Sequence, residues 1–193
     1  MPTATQMVVH LLRSFEHSLV TNAGLGANLT EEGRVECEIT IVCGRTNLVG
    51  CCGTVSGVKE PSALALKLLE QAEKVNDGSD LSGKFVFGRQ PPLVIAGKYY
   101  QVTTRTREHW EKWHRRFQEA VKIQTEGEED EQLDTVGSVC MDSIGSVAAA
   151  LSSGGVAYKV PGRMGLAGCP RMGCNAANAV AMMNRKRKRK RIK

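Results

Sequence analysis

The sequence predicts an α/β (α+β) protein in which helices cover a β-sheet on both sides. Amphipathic helical segments, short alternating strand-like segments and a glycine-containing hairpin follow one another along the chain. With 193 residues, of which 41% are hydrophobic, the chain is long enough to form one domain with its own core. No apolar run approaches the ~20 residues of a membrane-spanning helix, so we expect no membrane partner.

The amino-terminal half predicts two helices that flank two strands. The first helix follows from apolar side chains at helical spacing, namely Ala4, Met7, Val8, Leu11, Leu12 and Phe15. Residues 35–41 alternate as a half-buried strand, and residues 48–56 form a second strand whose small residues indicate close packing. Pro61 stands where the first turn of a helix tolerates proline, and the leucines after it indicate the second helix.

The next segment predicts a short strand, a charged helix and an acidic linker. The strand covers residues 93–96, and the helix covers Glu108 to Ile123. Trp110, Trp113 and Phe117 lie on one face of that helix. Residues 126–131 read Glu-Gly-Glu-Glu-Asp-Glu, and such a self-repelling sequence should form an exposed, mobile linker.

A hairpin follows the linker, since two apolar runs flank the turn at residues 143–145. It begins at Thr135, directly after Asp134. A break between these residues would give Thr135 a free α-amino group with a pKa of roughly 7.7–8.0. An N-terminal threonine carries a nucleophilic hydroxyl and a base on the same residue. The alternative is that Asp-Thr is simply a dipeptide that enters a strand.

Three motifs resemble the asparaginase-like N-terminal-nucleophile hydrolases. Residues 135–165 resemble the start of the small subunit, residues 21–29 resemble the glycine loop of the large subunit, and residues 55–61 resemble a strand-to-helix step. Threonine aspartase (taspase), whose members cut their own chain between Asp and Thr, is the most similar branch. The resemblance implies the four-layer α-β-β-α sandwich, incomplete in this chain.

The resemblance also implies a self-cleavage site and catalytic residues. Cleavage would occur at Asp134–Thr135, with Asp134 on the acyl side and Thr135 as the nucleophile. Ser153 matches the second hydroxyl, which hydrogen-bonds near the nucleophile, although a serine that merely ends a hairpin would look the same. Ser152 is the weaker candidate for this role.

Substrate-binding residues follow from the same resemblance. Arg163 matches the arginine that pairs with the substrate carboxylate, a role that suits a bidentate guanidinium. Asn22 and Gly24 match the glycine loop, although either could be an ordinary turn residue. Leu166 stands where asparaginases have an aspartate that holds the substrate amino group, which argues against free asparagine and for a protein substrate.

The predicted organisation has four parts. Residues 1–125 form a region like the large (alpha) subunit, 126–134 form the linker that ends at the cleavage site, 135–168 begin the small (beta) subunit, and 169–193 form a divergent basic tail. The resemblance is expected to end near Gly168. The chain should be truncated at both ends, without the family's first glycine strand and its downstream oxyanion donors.

The main functional hypothesis is a threonine-type endopeptidase precursor that cleaves itself and then cuts protein substrates after aspartate, but is inactive in this truncated form. One alternative is a non-catalytic fragment that pairs with a complete subunit. Another is an isoaspartyl-peptidase or asparaginase-type amidohydrolase. The resemblance implies an alpha/beta heterodimer or homodimer and no cofactor. Cys169 and Cys174 have no nearby histidine, so we expect no metal site.

Charge is concentrated in the tail. Residues 185–193 contain eight of the 26 lysines and arginines, so the rest of the chain carries 18 basic against 20 acidic residues. Such a run is typical of a segment bound by a nuclear import carrier, and it predicts nuclear localisation. The alternative is a solvated tail on a cytoplasmic protein, since the amino terminus has no signal-peptide core. No aromatic residues are interleaved for base stacking, so no specific nucleic-acid partner is expected.

Overall fold

The computed structural model describes residues 1–76, 101–120, 134–178 and 180–183. These residues form the following helices and strands: α1 (Ala4–Glu16), β1 (Cys37–Cys43), β2 (Val49–Val55), α2 (Pro61–Asn76), α3 (Thr104–Ala120), β3 (Val136–Met141), β4 (Val147–Ser153), β5 (Cys174–Ala177) and β6 (Val180–Met183). Two short 3-10 turns, Gly24–Gly26 and Leu166–Gly168, lie in the connections. The described residues therefore combine helices with antiparallel strands, which confirms the predicted α/β class.

The central feature is a four-stranded antiparallel sheet with the order β2-β1-β4-β3. Helix α1 packs on β3 and β4, and α2 packs on β1 and β2. The opposite face of β1 and β4 carries β5 and the 166–168 turn, and β5 pairs with β6 in a second sheet. The central strands β1 and β4 are therefore covered on both faces.

Each face of the sheet has its own apolar cluster. On the helix side, Ile39 and Ile41 pack against the side chains of α1 and α2, including Leu12 and Leu69. On the other side, a smaller cluster packs beneath β5. It contains Val42, Ala149, Leu151, Ala167, Cys174 and Ala176. This arrangement follows from the strand period, because successive residues of β1 and β4 point to opposite faces.

Three of the six predicted apolar positions of α1, Ala4, Val8 and Leu12, are buried, but two others are exposed. Leu11 and Phe15 are 44% and 38% exposed, whereas Val9 is buried. The fully buried position near the end of the helix is Glu16, which hydropathy alone assigns to solvent. The reason is that the Glu16 carboxyl has hydrogen-bond partners on two neighbouring elements.

Other expectations differ in their ends or lie outside the described residues. Helix α3 begins at Thr104, before the predicted start at Glu108. The aromatic face of α3 is incompletely covered, and Phe117 is exposed. The predicted strand at residues 93–96, the acidic linker before Asp134 and the tail at residues 184–193 lie outside the described residues.

Glu16 joins α1 to α2 and to β4. Its carboxylate accepts a 2.8 Å hydrogen bond from the Ser62 hydroxyl and a 3.1 Å bond from the Ser62 peptide N–H. The Ser152 hydroxyl donates to the same carboxylate at 2.8 Å. Burial raises the pKa of Glu16 to about 7, which the hydrogen bonds oppose and the nearby Glu60 carboxylate reinforces.

Glu16 should therefore make the stability of the chain fall as pH rises. Between pH 4.5 and about 7 the unfolded state releases the Glu16 proton and the folded state keeps it. Over this window the free energy of unfolding, measured relative to Glu16→Gln, should fall by about 3 kcal/mol. Denaturant titrations across this pH range measure the difference. Glu108→Gln, on the exposed face of α3, serves as the control and should keep the wild-type pH slope, whereas equal slopes for wild type and Glu16→Gln would contradict the prediction.

Candidate active site

Two hydroxyl groups meet at the β3–β4 hairpin. Thr135 directly precedes β3, and Ser153 is the last residue of β4. The strands pair so that Val136 lies opposite Ser152, which brings the Thr135 and Ser153 Oγ atoms within 2.9 Å of each other. Thr135 is exposed and Ser153 is buried. The structure therefore brings together the two residues for which the sequence predicts catalytic roles.

The peptide bond before Thr135 lies against the glycine loop. The Asn22 peptide N–H is directed at the Asp134 carbonyl oxygen, with an N···O distance of 3.4 Å. A backbone donor in this position can stabilise negative charge on that oxygen if the Thr135 hydroxyl adds to the carbonyl carbon. Asp134 itself is exposed.

The Asn22 side chain holds the turn that follows Ser153. Its Nδ2 donates to the Gly155 carbonyl at 2.7 Å, and its Oδ1 accepts from the Asn28 peptide N–H at 2.9 Å. The Asn22 carbonyl also accepts from the Gly154 peptide N–H at 2.9 Å. Both ends of the side-chain amide are therefore engaged within the loop. The group of Asn22 that is directed at Asp134 is its backbone N–H.

Gly24 has a packing role in the same loop. Its φ of +55° lies in the left-handed region. A Cβ atom at this position would lie 2.1 Å from the Glu16 carbonyl oxygen. The glycine therefore allows the loop to pass close to the end of α1, and thereby holds Asn22 in place.

Arg163 lies on an exposed turn over residues 160–163. The Arg163 peptide N–H donates to the Val160 carbonyl at 3.1 Å, and Gly162 has a φ of +82°. Proline followed by a glycine with positive φ is typical of a type II turn. Within the described part of the chain, no side chain pairs with the Arg163 guanidinium, so it can bind a carboxylate from outside.

A buried ion pair lies beneath the turn that carries Arg163. The Lys159 Nζ atom is 3.2 Å from Glu38 Oε1, and the two side chains are 0% and 1% exposed. Neither residue is predicted from the sequence, because the alternating pattern puts Glu38 on the polar side of a half-buried strand. That side is buried because the residues after Ser153 fold back over it. The available signal was the pair of glutamates at alternate positions, Glu36 directly before β1 and Glu38 within it.

The described residues contain no group of three or more His, Cys, Asp and Glu side chains placed to bind a metal. Among the same residues, no helix has the length and apolar character needed to span a bilayer. All seven cysteines are free thiols. Burial raises the pKa of the Cys37 thiol to about 12, so this thiol stays protonated at neutral pH.

Comparison with known proteins finds relatives that align with most of the chain. The plant-type L-asparaginase of Pyrobaculum calidifontis is 33% identical over 189 residues, covering 92% of this chain and 58% of the relative. The isoaspartyl peptidase of Escherichia coli is 28% identical over 185 residues, covering 92% and 55% respectively. The isoaspartyl peptidase/L-asparaginase of Xenopus laevis is 29% identical over 182 residues, covering 94% and 55%. The chain thus spans little more than half the length of these relatives.

The family profile named Asparaginase matches residues 2–183. The match continues past Gly168, where the sequence resemblance was expected to end. The relatives are named as asparaginases and isoaspartyl peptidases, so they support the family as a whole rather than its threonine aspartase branch. Because the profile covers nearly the whole sequence, the chain belongs to the asparaginase family, with the fold of the N-terminal-nucleophile hydrolases.

Proposed function

We propose that this chain is part of a threonine hydrolase precursor that cleaves itself between Asp134 and Thr135. The contact between the Thr135 and Ser153 hydroxyls, 2.9 Å at the start of β3, is the observation that carries the proposal. The Asn22 N–H, which is directed at the Asp134 carbonyl oxygen, also supports it. Residues 1–134 and the residues from Thr135 onward would then form the alpha and beta parts of one heterodimer.

Self-cleavage would begin when the Thr135 Oγ atom adds to the Asp134 carbonyl carbon. The new C–O bond replaces the C–N bond, and the leaving nitrogen takes up the hydroxyl proton. Water then hydrolyses the resulting ester, which gives an Asp134 carboxylate and restores the Thr135 hydroxyl beside a free α-amino group. Ser153 would orient the Thr135 hydroxyl through their hydrogen bond, and the Asn22 N–H would stabilise the oxyanion.

Thr135→Ala should abolish cleavage at Asp134–Thr135, because it removes the nucleophile and leaves the backbone in place. Intact-mass analysis of incubated protein measures this directly. Thr104→Ala, at the exposed start of α3, is the matched control and should behave like wild type. Fragments that persist in Thr135→Ala would contradict the mechanism, and an uncut wild-type chain would favour the non-catalytic fragment that pairs with a complete subunit.

After cleavage, the Thr135 α-amino group would act as the base and Arg163 would bind a substrate carboxylate. In an isoaspartyl peptide and in a peptide bond after aspartate alike, two carbon atoms separate the free carboxylate from the scissile carbonyl group. Arg163 therefore suits either substrate. The two classes differ in the position of the aspartyl nitrogen. In an isoaspartyl dipeptide it is a free amine on the carbon next to the free carboxylate. In a protein cut after aspartate it is a peptide nitrogen on the carbon next to the scissile carbonyl.

The relatives favour an isoaspartyl or asparagine-type amide as the substrate, since their names specify those activities. Leu166 favours the second candidate, a threonine aspartase that cuts protein substrates after aspartate. Leu166 starts the 166–168 turn and is partly exposed, and its apolar side chain cannot hold a substrate ammonium group. The free amine of an isoaspartyl substrate would need another partner.

In the cleaved enzyme, Arg163→Ala should reduce kcat/KM by an amount corresponding to about 2–5 kcal/mol, the loss typical when one partner of a desolvated charge pair is removed. The assay compares a β-aspartyl dipeptide with a peptide that contains an internal aspartate, and thereby also decides between the two substrate classes. Arg115→Ala, on the exposed face of α3, is the control. Unchanged turnover of the preferred substrate in Arg163→Ala would exclude the arginine from the site.

We also propose that the 185–193 segment binds a nuclear import carrier, because its positive charges suit the acidic grooves that recognise such runs. Replacing Lys186, Arg187, Lys188 and Arg189 with alanine should move a large fluorescent fusion from the nucleus to the cytoplasm. Imaging the fusion in cells measures the distribution, with the Thr135→Ala fusion as a control that should stay nuclear. A substituted fusion that remains nuclear would contradict this role for the tail.

A further inference from the structure

The loop that carries Arg163 is attached at three points to β1 and to Glu36, the residue directly before this strand. The Gly162 peptide N–H donates to the Glu36 carboxylate at 2.9 Å. The Gly165 peptide N–H donates to Glu38 Oε2 at 2.7 Å. At the start of the loop, Lys159 Nζ donates to the Glu36 carbonyl at 3.0 Å and contacts Glu38 Oε1. Arg163 therefore lies between two peptide groups, of Gly162 and Gly165, which donate to the carboxylates of Glu36 and Glu38.

The same strand also determines the position of this loop relative to the hydroxyl pair. Glu38 of β1 lies directly opposite Ser153 of β4 in the sheet. Side chains of residues paired in this way point to the same face, with Cβ atoms about 5 Å apart. The Glu38 carboxylate thus starts beside Ser153 and reaches the loop of Arg163, which links the two parts of the site by one side chain.

Stability alone does not explain a buried pair at this position. Removing two charges from water costs several kcal/mol per ion, and apolar residues of similar volume are often as stable or more stable. Here the local backbone is shaped around the pair. A Cβ atom at Gly165 would lie 2.9 Å from Glu38 Oε2, and one at Gly155 would lie 3.1 Å from Lys159 Nζ.

We propose that the Glu38–Lys159 pair, together with Glu36, positions Arg163 for the substrate carboxylate and so sets the preference for aspartyl substrates. This inference rests on the proposed function. The three side chains act through the loop backbone at Gly162 and Gly165 and touch no substrate atom, so they are positioning residues. Their effect should be on substrate binding rather than on the chemical step.

Two variants test the proposal with different risks to the fold. Glu36→Ala removes the tether to Gly162 at a partly exposed position, and Glu31→Ala, in the exposed turn before β1, is its matched control. The double variant Glu38→Leu/Lys159→Met removes both buried charges together, so that neither is left unpaired, and it also removes the acceptor of the Gly165 peptide N–H. Unfolding midpoints identify any variant that is simply unstable.

Both variants should raise KM for the preferred aspartyl substrate about tenfold and leave kcat nearly unchanged, because a displaced Arg163 weakens ground-state and transition-state binding alike. A substrate analogue with a neutral carboxamide in place of the free carboxylate should be turned over equally by wild type and variants. A merely structural defect would instead lower kcat through the fraction of folded enzyme and leave KM unchanged.

Succinate, a dicarboxylate without an amine, provides a readout that needs no catalysis. Its titration, followed by NMR at the Arg163 Nε–H group, should show affinity weakened by the same factor in both variants. Wild type that binds succinate but hydrolyses neither substrate would contradict the proposed function, and the variants' succinate affinities would then decide the positioning role. Unchanged KM and unchanged succinate affinity in both variants would overturn the proposal, as would wild type that does not bind succinate.

Discussion

The antiparallel register of β4 is the constraint on which the rest of the structure depends. Because successive residues of a strand point to opposite faces, Ser152 and Ser153 serve different purposes. The Ser152 hydroxyl binds Glu16 on the helix side, and the Ser153 hydroxyl meets Thr135 near the other face. A slip of one residue would exchange the two serines and would bury the wrong one beneath α1.

Carboxyl groups on both faces convert this register into a fixed site. On the helix side, Glu16 ties β4 to the first turn of α2, where burial keeps its pKa near neutrality. On the other side, Glu38 lies opposite Ser153 and holds the loop after Lys159. Each carboxyl accepts hydrogen bonds from parts of the chain that are distant from it in sequence. Polar contacts as well as apolar packing therefore connect the sheet to the layers that cover it.

The sequence predicted the components of the site better than their surroundings. Thr135 and Ser153 belong to one hairpin, which local turn signals predict, while the family resemblance is what implied that their hydroxyls act together. Glu38 and Lys159 are far apart in the chain, and nothing local shows that the loop after Ser153 folds over β1. For the same reason, the burial of Glu16 at the end of α1 was not predicted, since its partners come from α2 and β4.

The sequence by itself determined the α/β class, the hairpin that begins at Thr135 and the motifs that resemble the asparaginase family. Each of these depends on a pattern within a short stretch of chain. Only the tertiary structure decided which polar groups are buried and what they hold. It aims the Asn22 N–H at Asp134, and it places the Glu38–Lys159 pair beneath Arg163. The physical reason is that burial of a charge is stable only when distant segments supply its partners, and strand pairing brings those segments together.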